Sequence, residues 1–99
     1  MPDQVRASHI LRSTDDRSKE DALKEINDLK AEVDGGADFG ELAREHSDCP
    51  SGRQGGDLGE FGRGMMVPEF EAAAFGMDVG DISDAVETDF GVHLIHRTE

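Results

Sequence analysis

The sequence predicts an α+β domain with a mostly antiparallel sheet, in the element order β-α-α-β-α-β-β. Three observations predict this class. Apolar residues recur at helical spacing in three segments, four other segments have strand character, and clusters of Gly, Pro and small polar residues separate them. The length of 99 residues suits one domain, so we expect a single unit over residues 1–99 with its core from about residue 5 to residue 98.

The first element is a strand over residues 5–11, whose side chains alternate between two faces. One face carries Val5, Ala7, His9 and Leu11. His9 therefore points the same way as small and apolar residues, and we expect this histidine to face the interior.

The second element is a helix that begins after Ser18, because Ser18 and Asp21 have the spacing of a capping box. Two glycines at positions 35 and 36 end it. Its apolar stripe repeats at i, i+4, i+7 and i+11, through Ala22, Ile26, Leu29 and Val33.

A second, shorter helix follows, with Asp38 as its cap and Glu41 three residues later. Its apolar face carries Phe39, Leu42, Ala43 and His46. Residues 48–56 then form a loop rich in turn formers. Irregular loops inside small domains often carry function.

The last four elements are a brief strand over residues 57–61, a third helix, and two strands over residues 82–87 and 92–97. Pro68 suits the first position of the helix and Gly76 ends it. The connection over residues 88–91 contains the glycine that hairpin loops favour.

Two histidines from opposite ends of the chain are the first candidates for chemistry. His9 and His93 both lie in strand patterns and could meet across the sheet, although either could be a satisfied core histidine. Cys49 is equally ambiguous, because a lone cysteine is more often a small buried apolar residue than a nucleophile. A metal site built from these three residues is disfavoured, since none has the short paired spacing of zinc ligands. We expect no metal and no cofactor.

Four large apolar residues could form either core or a pocket, namely Met65, Met66, Phe70 and Phe90. Met66 and Phe70 stand four residues apart around a helix start, where their side chains would share one wall. An apolar wall beside inward histidines predicts a small binding pocket.

The charge balance excludes several classes of partner. Ten basic and 23 acidic side chains give a net charge of −13. We expect neither nucleic acid nor an anionic membrane, because both require concentrated Lys and Arg. No apolar run approaches the roughly 18 residues of a membrane span, and the N-terminus does not resemble a signal peptide. The single cysteine precludes an internal disulfide and suits a reducing compartment, so we expect a cytoplasmic protein.

Five segments in a fixed order carry a resemblance. They are SHIL at residues 8–11, ADF at 37–39 with SDCPS at 47–51, GGDLGEF at 55–61, MVPEF at 66–70, and TDFGVHLI at 88–95. With these segments the chain resembles the parvulin peptidyl-prolyl cis/trans isomerases over nearly its whole length. Any one segment is weak, but five in register are specific.

The resemblance implies a four-stranded antiparallel sheet wrapped by helices, and an enzyme that rotates X–Pro peptide bonds. The paired histidines of the family fall on His9 and His93, and the residue beside the substrate carbonyl falls on Cys49. Asp48 is the implied neighbour of Cys49. The walls of the proline pocket fall on Leu58, Met66 and Phe70. Its rim falls on Thr88 and Phe90.

The implied substrates are proline-containing peptides and unfolded protein segments, and the simplest oligomeric state is a monomer. The WW module that some relatives carry in front of this domain is absent, so we expect no accessory domain. The alternative function is a non-catalytic peptide-binding or chaperone domain that keeps the same fold.

Phosphate-directed relatives carry a lysine and an arginine pair in the loop after the first strand. Here Ser13 takes the lysine position. The basic residues of this loop are offset by acidic neighbours, with Arg12, Arg17 and Lys19 set against Asp15, Asp16 and Glu20. We therefore expect no preference for phosphoserine-proline.

The expected mechanism is non-covalent, by desolvation of the amide and preferential binding of its twisted form. Cys49 is expected to tune the local electrostatics, because a strongly negative chain raises a thiol pKa, while covalent attack is the alternative. We expect His9 and His93 to hydrogen-bond each other. Activity should then weaken between about pH 8 and about pH 5 as either ring becomes charged.

Overall fold

The structure, a computed structural model, confirms the predicted element order, and it describes residues 4–15, 17–48 and 50–98. A short 3₁₀ helix at Pro50–Gln54, inside the predicted loop, is the one addition to that order. The helices and strands are β1 (Gln4–Ser13), α1 (Lys19–Asp34), α2 (Phe39–His46), β2 (Asp57–Gly62), α3 (Pro68–Gly76), β3 (Val86–Thr88) and β4 (Gly91–Arg97).

The sheet brings the two ends of the chain together. Its strand order is β2-β1-β4-β3, and each neighbouring pair is antiparallel. In the register between β1 and β4, Leu11 pairs with His93 and His9 pairs with Ile95. His9 and His93 therefore lie diagonally across two adjacent strands, within reach of each other's side chains.

Helices cover both faces of the two central strands, so alternate side chains enter two separate cores. On one face Ile10 and Leu94 pack against α1 and α2. On the other face Ala7 and Ile95 pack with Phe70 of α3. His9 and His93 share the second face, because they alternate with Ile10 and Leu94 along their strands.

The predicted helix boundaries are confirmed by their caps. The Ser18 hydroxyl accepts a hydrogen bond from the Asp21 N–H at the start of α1, and the Asp38 carboxylate does the same for Glu41 at the start of α2. Helix α3 begins at Pro68, as predicted. Among the described residues, no helix has the length and apolarity needed to cross a bilayer.

One strand is shorter than predicted. β3 covers only Val86–Thr88, whereas the sequence predicted a strand over residues 82–87. Ile82 makes an isolated bridge to His96. Ser83 interrupts the pairing, because its N–H donates to the Ile95 carbonyl (2.8 Å) while its hydroxyl accepts the Ile95 N–H (3.0 Å). A side-chain oxygen thus replaces a backbone carbonyl in the ladder.

Candidate active site

A buried pair of imidazoles lies on the α3 side of the sheet. The Nδ1 atoms of His9 and His93 are 3.0 Å apart, and each residue is only 5 % exposed. Their rings stack with centroids 5.2 Å apart, and the Phe70 ring meets both edge-on at 5.6 and 5.5 Å. One Nδ1 must donate while the other accepts, so this contact requires at least one neutral ring.

Thr88 holds the second ring nitrogen of His93. Its hydroxyl oxygen lies 2.7 Å from Nε2 of His93, and it accepts the Phe90 N–H at 3.2 Å. Both nitrogens of His93 are therefore hydrogen-bonded, and the orientation of this ring is defined from two sides. The β3–β4 hairpin makes this contact possible, because it places residue 88 beside residue 93.

Burial keeps the two imidazoles neutral. Burial, together with the smaller effect of the neighbouring His93, which disfavours a second positive charge, lowers the pKa of His9 to about 4. Burial likewise lowers the pKa of His93 to about 4. At neutral pH the pair is therefore an uncharged hydrogen-bonding unit.

An apolar cavity of about 530 Å³ opens above this pair. Its apolar lining includes four residues assigned from the sequence, Leu58, Met66, Phe70 and Phe90, and three that were not assigned, Leu11, Met65 and Val67. Leu11 lies two residues from His9 and therefore on the same face of β1, which could have identified it. Met65 and Val67 are the chain neighbours of Met66, which could have identified them.

The rim of the cavity carries two exposed apolar side chains. Met65 is 68 % exposed and Phe90 is 59 % exposed. The interpretation of these two residues as core is therefore wrong. The hairpin tip and the turn before α3 hold them at the mouth of the cavity, where no other element among the described residues covers them.

Asp48 lines the cavity as part of a closed ring of alternating charges. We call Arg12, Glu25, Arg17 and Asp48 the charge ring. Arg17 contacts the Asp48 carboxylate at 2.5 Å and Glu25 at 3.1 Å, while Arg12 contacts Glu25 at 3.2 Å and Asp48 at 3.6 Å. The four charges cancel within the ring.

The charge ring keeps Asp48 ionised. Burial alone would raise the pKa of this carboxyl, but hydrogen bonds from Arg17 and the Ser13 N–H, with the charge of Arg12, hold its pKa below the usual range. The sequence set acidic residues of the same loop against these arginines, and the structure adds Glu25 and Asp48, which contact both of them. Asp16 lies outside the described residues.

Backbone hydrogen bonds attach the segment before Cys49 to the end of β1. The Asp48 N–H donates to the Leu11 carbonyl (2.7 Å), and the Leu11 N–H donates to the Ser47 hydroxyl (3.1 Å). Cys49 itself lies outside the described residues, so its assigned role remains a prediction. Among the described residues, no three His, Cys, Asp or Glu side chains are grouped as metal ligands would be.

The geometry therefore suits the binding of a small apolar ring. A cavity lined by methionine, leucine and phenylalanine excludes water from whatever enters it. Its polar groups are few: a neutral imidazole pair at the floor and one carboxylate at the side.

Comparison with known proteins identifies the family. The model of the family described as Rotamase, PPIC-type PPIase domain matches residues 9–99. The chain is 44 % identical to peptidyl-prolyl cis-trans isomerase Pin1 of Arabidopsis thaliana, over 97 % of this chain and 96 % of that protein. It is 47 % identical to foldase protein PrsA of Geobacillus kaustophilus, but spans only 32 % of that longer protein.

Solved structures of similar proteins have the same fold. TbPIN1 superposes with a TM-score of 0.91 at 36 % identity, and the full length of both chains is covered. NmPin, the parvulin of Nitrosopumilus maritimus, superposes with a TM-score of 0.83 at 36 % identity, over 100 % of this chain and 99 % of that one. The family match covers nearly the whole chain, and full-length relatives agree in both sequence and structure. This chain therefore belongs to the parvulin family of peptidyl-prolyl cis/trans isomerases.

Proposed function

We propose that the cavity above the His9–His93 pair isomerises X–Pro bonds in flexible or unfolded protein segments, without covalent chemistry and without a requirement for phosphate. The observation that carries this proposal is a buried, neutral imidazole pair beneath an apolar cavity of about 530 Å³. Such a site surrounds the bound ring with a shaped, apolar environment. It places no charged group directly beneath that ring.

Low polarity is what the reaction needs. Amide resonance sets a rotation barrier of roughly 18–20 kcal/mol, and water stabilises the resonance form with charge on its oxygen. Moving the amide into an apolar site removes that stabilisation and favours the twisted, less polar state. A ten-thousandfold acceleration needs only about 5.4 kcal/mol of preferential binding to that state.

Each lining residue then has a definite role. Leu58, Met66 and Phe70 hold the pyrrolidine ring while the carbonyl side rotates. His9 and His93 form the floor, and Thr88 positions the His93 ring through its 2.7 Å contact with Nε2. Phe90 lies at the rim beside the chain that enters, as its exposure permits.

Cys49 acts as a polar neighbour of the substrate carbonyl in this proposal. A thiolate nucleophile needs nearby positive charge to lower its pKa. The two arginines that contact Asp48, the residue before Cys49, are already paired with carboxylates in the charge ring. The net charge of −13 also opposes thiolate formation.

The same pairing supports a site that is indifferent to phosphate. Arg12 and Arg17 are bound within the charge ring, and Lys19 contacts Glu87 at 2.7 Å. A phosphate dianion would have to displace these carboxylates before it could use the basic groups. We therefore propose that phosphorylation before the proline brings no gain.

Truncation of the proline clamp tests the proposed site. We expect Met66→Ala to lower kcat/KM on a short X–Pro peptide by about tenfold or more, because the lost side chain contributes roughly 1.5–3 kcal/mol of apolar contact. Val79→Ala, a similar apolar truncation outside the cavity, is the control and should stay close to wild type. Equal effects of the two changes on kcat/KM would contradict the assignment of the site.

Replacement of the thiol tests the mechanism. A non-covalent enzyme should keep measurable turnover in Cys49→Ser, because a hydroxyl remains a polar neighbour although it is a far weaker nucleophile. Peptide isomerisation is measured beside the circular dichroism spectrum. Complete loss of turnover in a folded Cys49→Ser protein would establish the covalent alternative instead.

A further inference from the structure

The charge ring joins helix α1 to the wall of the proline cavity. Of its four members only Asp48 lines the cavity, and Glu25 belongs to α1. Glu25 lies three residues after Ala22 and four before Leu29, two residues of the buried stripe, so it stands on the flank of the helix face that packs against the sheet. The proposed isomerase site gives this glutamate no task, yet it contacts both arginines of the ring.

Glu25 binds one arginine with both of its oxygens and the other with one. Nε and Nη2 of Arg12 donate to the two carboxylate oxygens at 3.2 and 3.3 Å, and Nε of Arg17 lies 3.1 Å from Oε2. The side chains of these arginines are only 17 and 19 % exposed, so their charges depend on carboxylate partners more than on water. Hydrogen bonds from Arg12, with the charges of both arginines, hold the pKa of Glu25 below its usual range.

The same two arginines hold the Asp48 carboxylate at the cavity wall. Arg17 contacts it at 2.5 Å and Arg12 at 3.6 Å, and the Ser13 N–H donates to it at 2.9 Å. Each guanidinium is also held by a backbone carbonyl, since Arg17 donates to Ser13 (2.8 Å) and Arg12 donates to His46. The position of Asp48 therefore depends on how these two cations are held.

Removal of the Glu25 charge would leave two cations and one carboxylate within the ring. The surplus positive charge would lie beside Asp48, at the wall of the cavity in which the amide rotates. Amide resonance places negative charge on the carbonyl oxygen, so a nearby cation stabilises the planar amide more than the twisted one. Such a cation raises the barrier to rotation, while the planar substrate binds equally well or more tightly.

We propose that Glu25 is a positioning residue for the isomerisation. Its carboxylate balances Arg12 and Arg17, so that they hold Asp48 at the cavity wall without surplus positive charge beside the rotating amide. This role rests on the proposed isomerase function, because it concerns the rate of rotation in the same cavity. It gives α1, a helix none of whose residues lines the cavity, an influence on that rate.

Glu25→Gln tests this role, because it removes the charge and keeps the shape of the side chain. We expect kcat on a short X–Pro peptide to fall about fivefold, while KM stays equal or decreases. Glu25→Asp keeps the charge and should retain at least about half of the wild-type kcat.

Glu32→Gln is the matched control, because Glu32 is an exposed residue of the same helix and lies outside the charge ring. It makes the same change in net charge and should stay within about twofold of wild type in kcat. An unchanged kcat in Glu25→Gln, or a loss of equal size in Glu32→Gln, would overturn the proposal.

A compensating change separates charge balance from a merely structural role. Glu25→Gln with Arg12→Gln removes one charge of each sign and leaves Arg17 paired with Asp48. We expect this double variant to recover kcat to within about twofold of wild type, although it has lost more contacts than Glu25→Gln alone. Urea unfolding of each variant accompanies the kinetics. A folded double variant with a lower kcat than the single variant would show a structural role only, and the proposal would be wrong.

The amide signal of Ser13 reports on Asp48, because this N–H donates to its carboxylate. In the ¹⁵N-labelled full chain the signal should shift in Glu25→Gln, and an unmoved signal would contradict the positioning of Asp48. Met66→Ala, measured in parallel, distinguishes this proposal from the proposed function. A wild-type kcat in Glu25→Gln beside an impaired Met66→Ala would reject only the role of Glu25, whereas equal kcat/KM in Met66→Ala and Val79→Ala would reject the site itself.

Discussion

At the scale of single residues, the burial of His9 and His93 determines how the site responds to acid. Protonation of both rings would place two donors 3.0 Å apart, and burial already disfavours the first charge. The pKa of each ring therefore lies at about 4, well below its ordinary value. The expectation that activity weakens between about pH 8 and about pH 5 is corrected by this burial.

Activity should therefore be flat from about pH 8 to about pH 5 and fall only as the pH approaches 4, where the rings become charged. The measurement is kcat/KM on a short X–Pro peptide across this range, with circular dichroism at each pH. His46→Gln, which removes a half-buried histidine outside the cavity, is the control and should give the same profile. A midpoint near 6.5 in the folded protein would show that the pair is not buried as described.

The free energy of unfolding should change over a higher pH range than the one in which activity changes. The pKa of each histidine is near 6.5 in the unfolded chain but near 4 in this fold. Between these two values the unfolded chain binds a proton that the folded chain does not. The free energy of unfolding is therefore highest above about pH 6.5 and decreases as the pH falls towards 4. Between about pH 7.5 and pH 5 this loss is a few kcal/mol for the pair. Urea unfolding at the two pH values measures it, and His9→Asn should reduce the difference.

At the scale of elements, the start of β2 is built against β1. The His9 N–H donates to the Gly56 carbonyl at 2.9 Å, and Gly56 adopts a positive φ of 82°. A Cβ at position 56 would lie 2.3 Å from the His9 carbonyl oxygen. This glycine therefore allows the loop after α2 to approach the strand that carries His9.

Gly56→Ala should destabilise the fold by about 3 kcal/mol or more, because it combines a backbone clash with an unfavourable φ. Gly59→Ala is the matched control. Gly59 also has a positive φ, of 71°, but its Cβ would meet nothing within 4 Å, so we expect a loss of only about 1 kcal/mol. Chemical denaturation of both variants measures the difference, and equal losses would mean that the approach of residue 56 to β1 is not close.

At the scale of the whole molecule, negative charge opposes an anionic substrate. The net charge is −13, and Arg12, Arg17 and Lys19 are already paired, in the charge ring and with Glu87. A phosphate group would bring two further negative charges into this field. Repulsion from the whole molecule and the pairing of Arg12, Arg17 and Lys19 with carboxylates act in the same direction.

Two peptides that differ only in phosphorylation of the serine before the proline test this effect. We expect kcat/KM for the phosphopeptide to be equal to or lower than that for its partner, with a larger deficit at low salt, because salt screens the repulsion. Glu25→Gln, which removes one negative charge from the charge ring, should reduce the deficit. A tenfold preference of the wild type for the phosphopeptide would contradict the proposal.

Much of the fold could be predicted because its signals are local. Ser18, Asp38 and Pro68 mark where helices begin, and each capping contact or position involves only residues within one turn. The prediction of a strand over residues 82–87 was wrong because the contact that decides it is not local. Its pairing depends on whether Ser83 offers its hydroxyl to Ile95, which no local pattern records.

The sequence by itself determined the order of elements, the apolar faces and, through resemblance, the residues of the candidate site. These properties follow from spacing along the chain, which backbone geometry converts directly into shared faces. Only the tertiary structure decided that the first and last strands are neighbours, that the two imidazoles are buried and neutral, and that Glu25 completes the charge ring. These depend on distances between residues far apart in the chain and on exclusion of water, which arise only when the sheet and helices pack together.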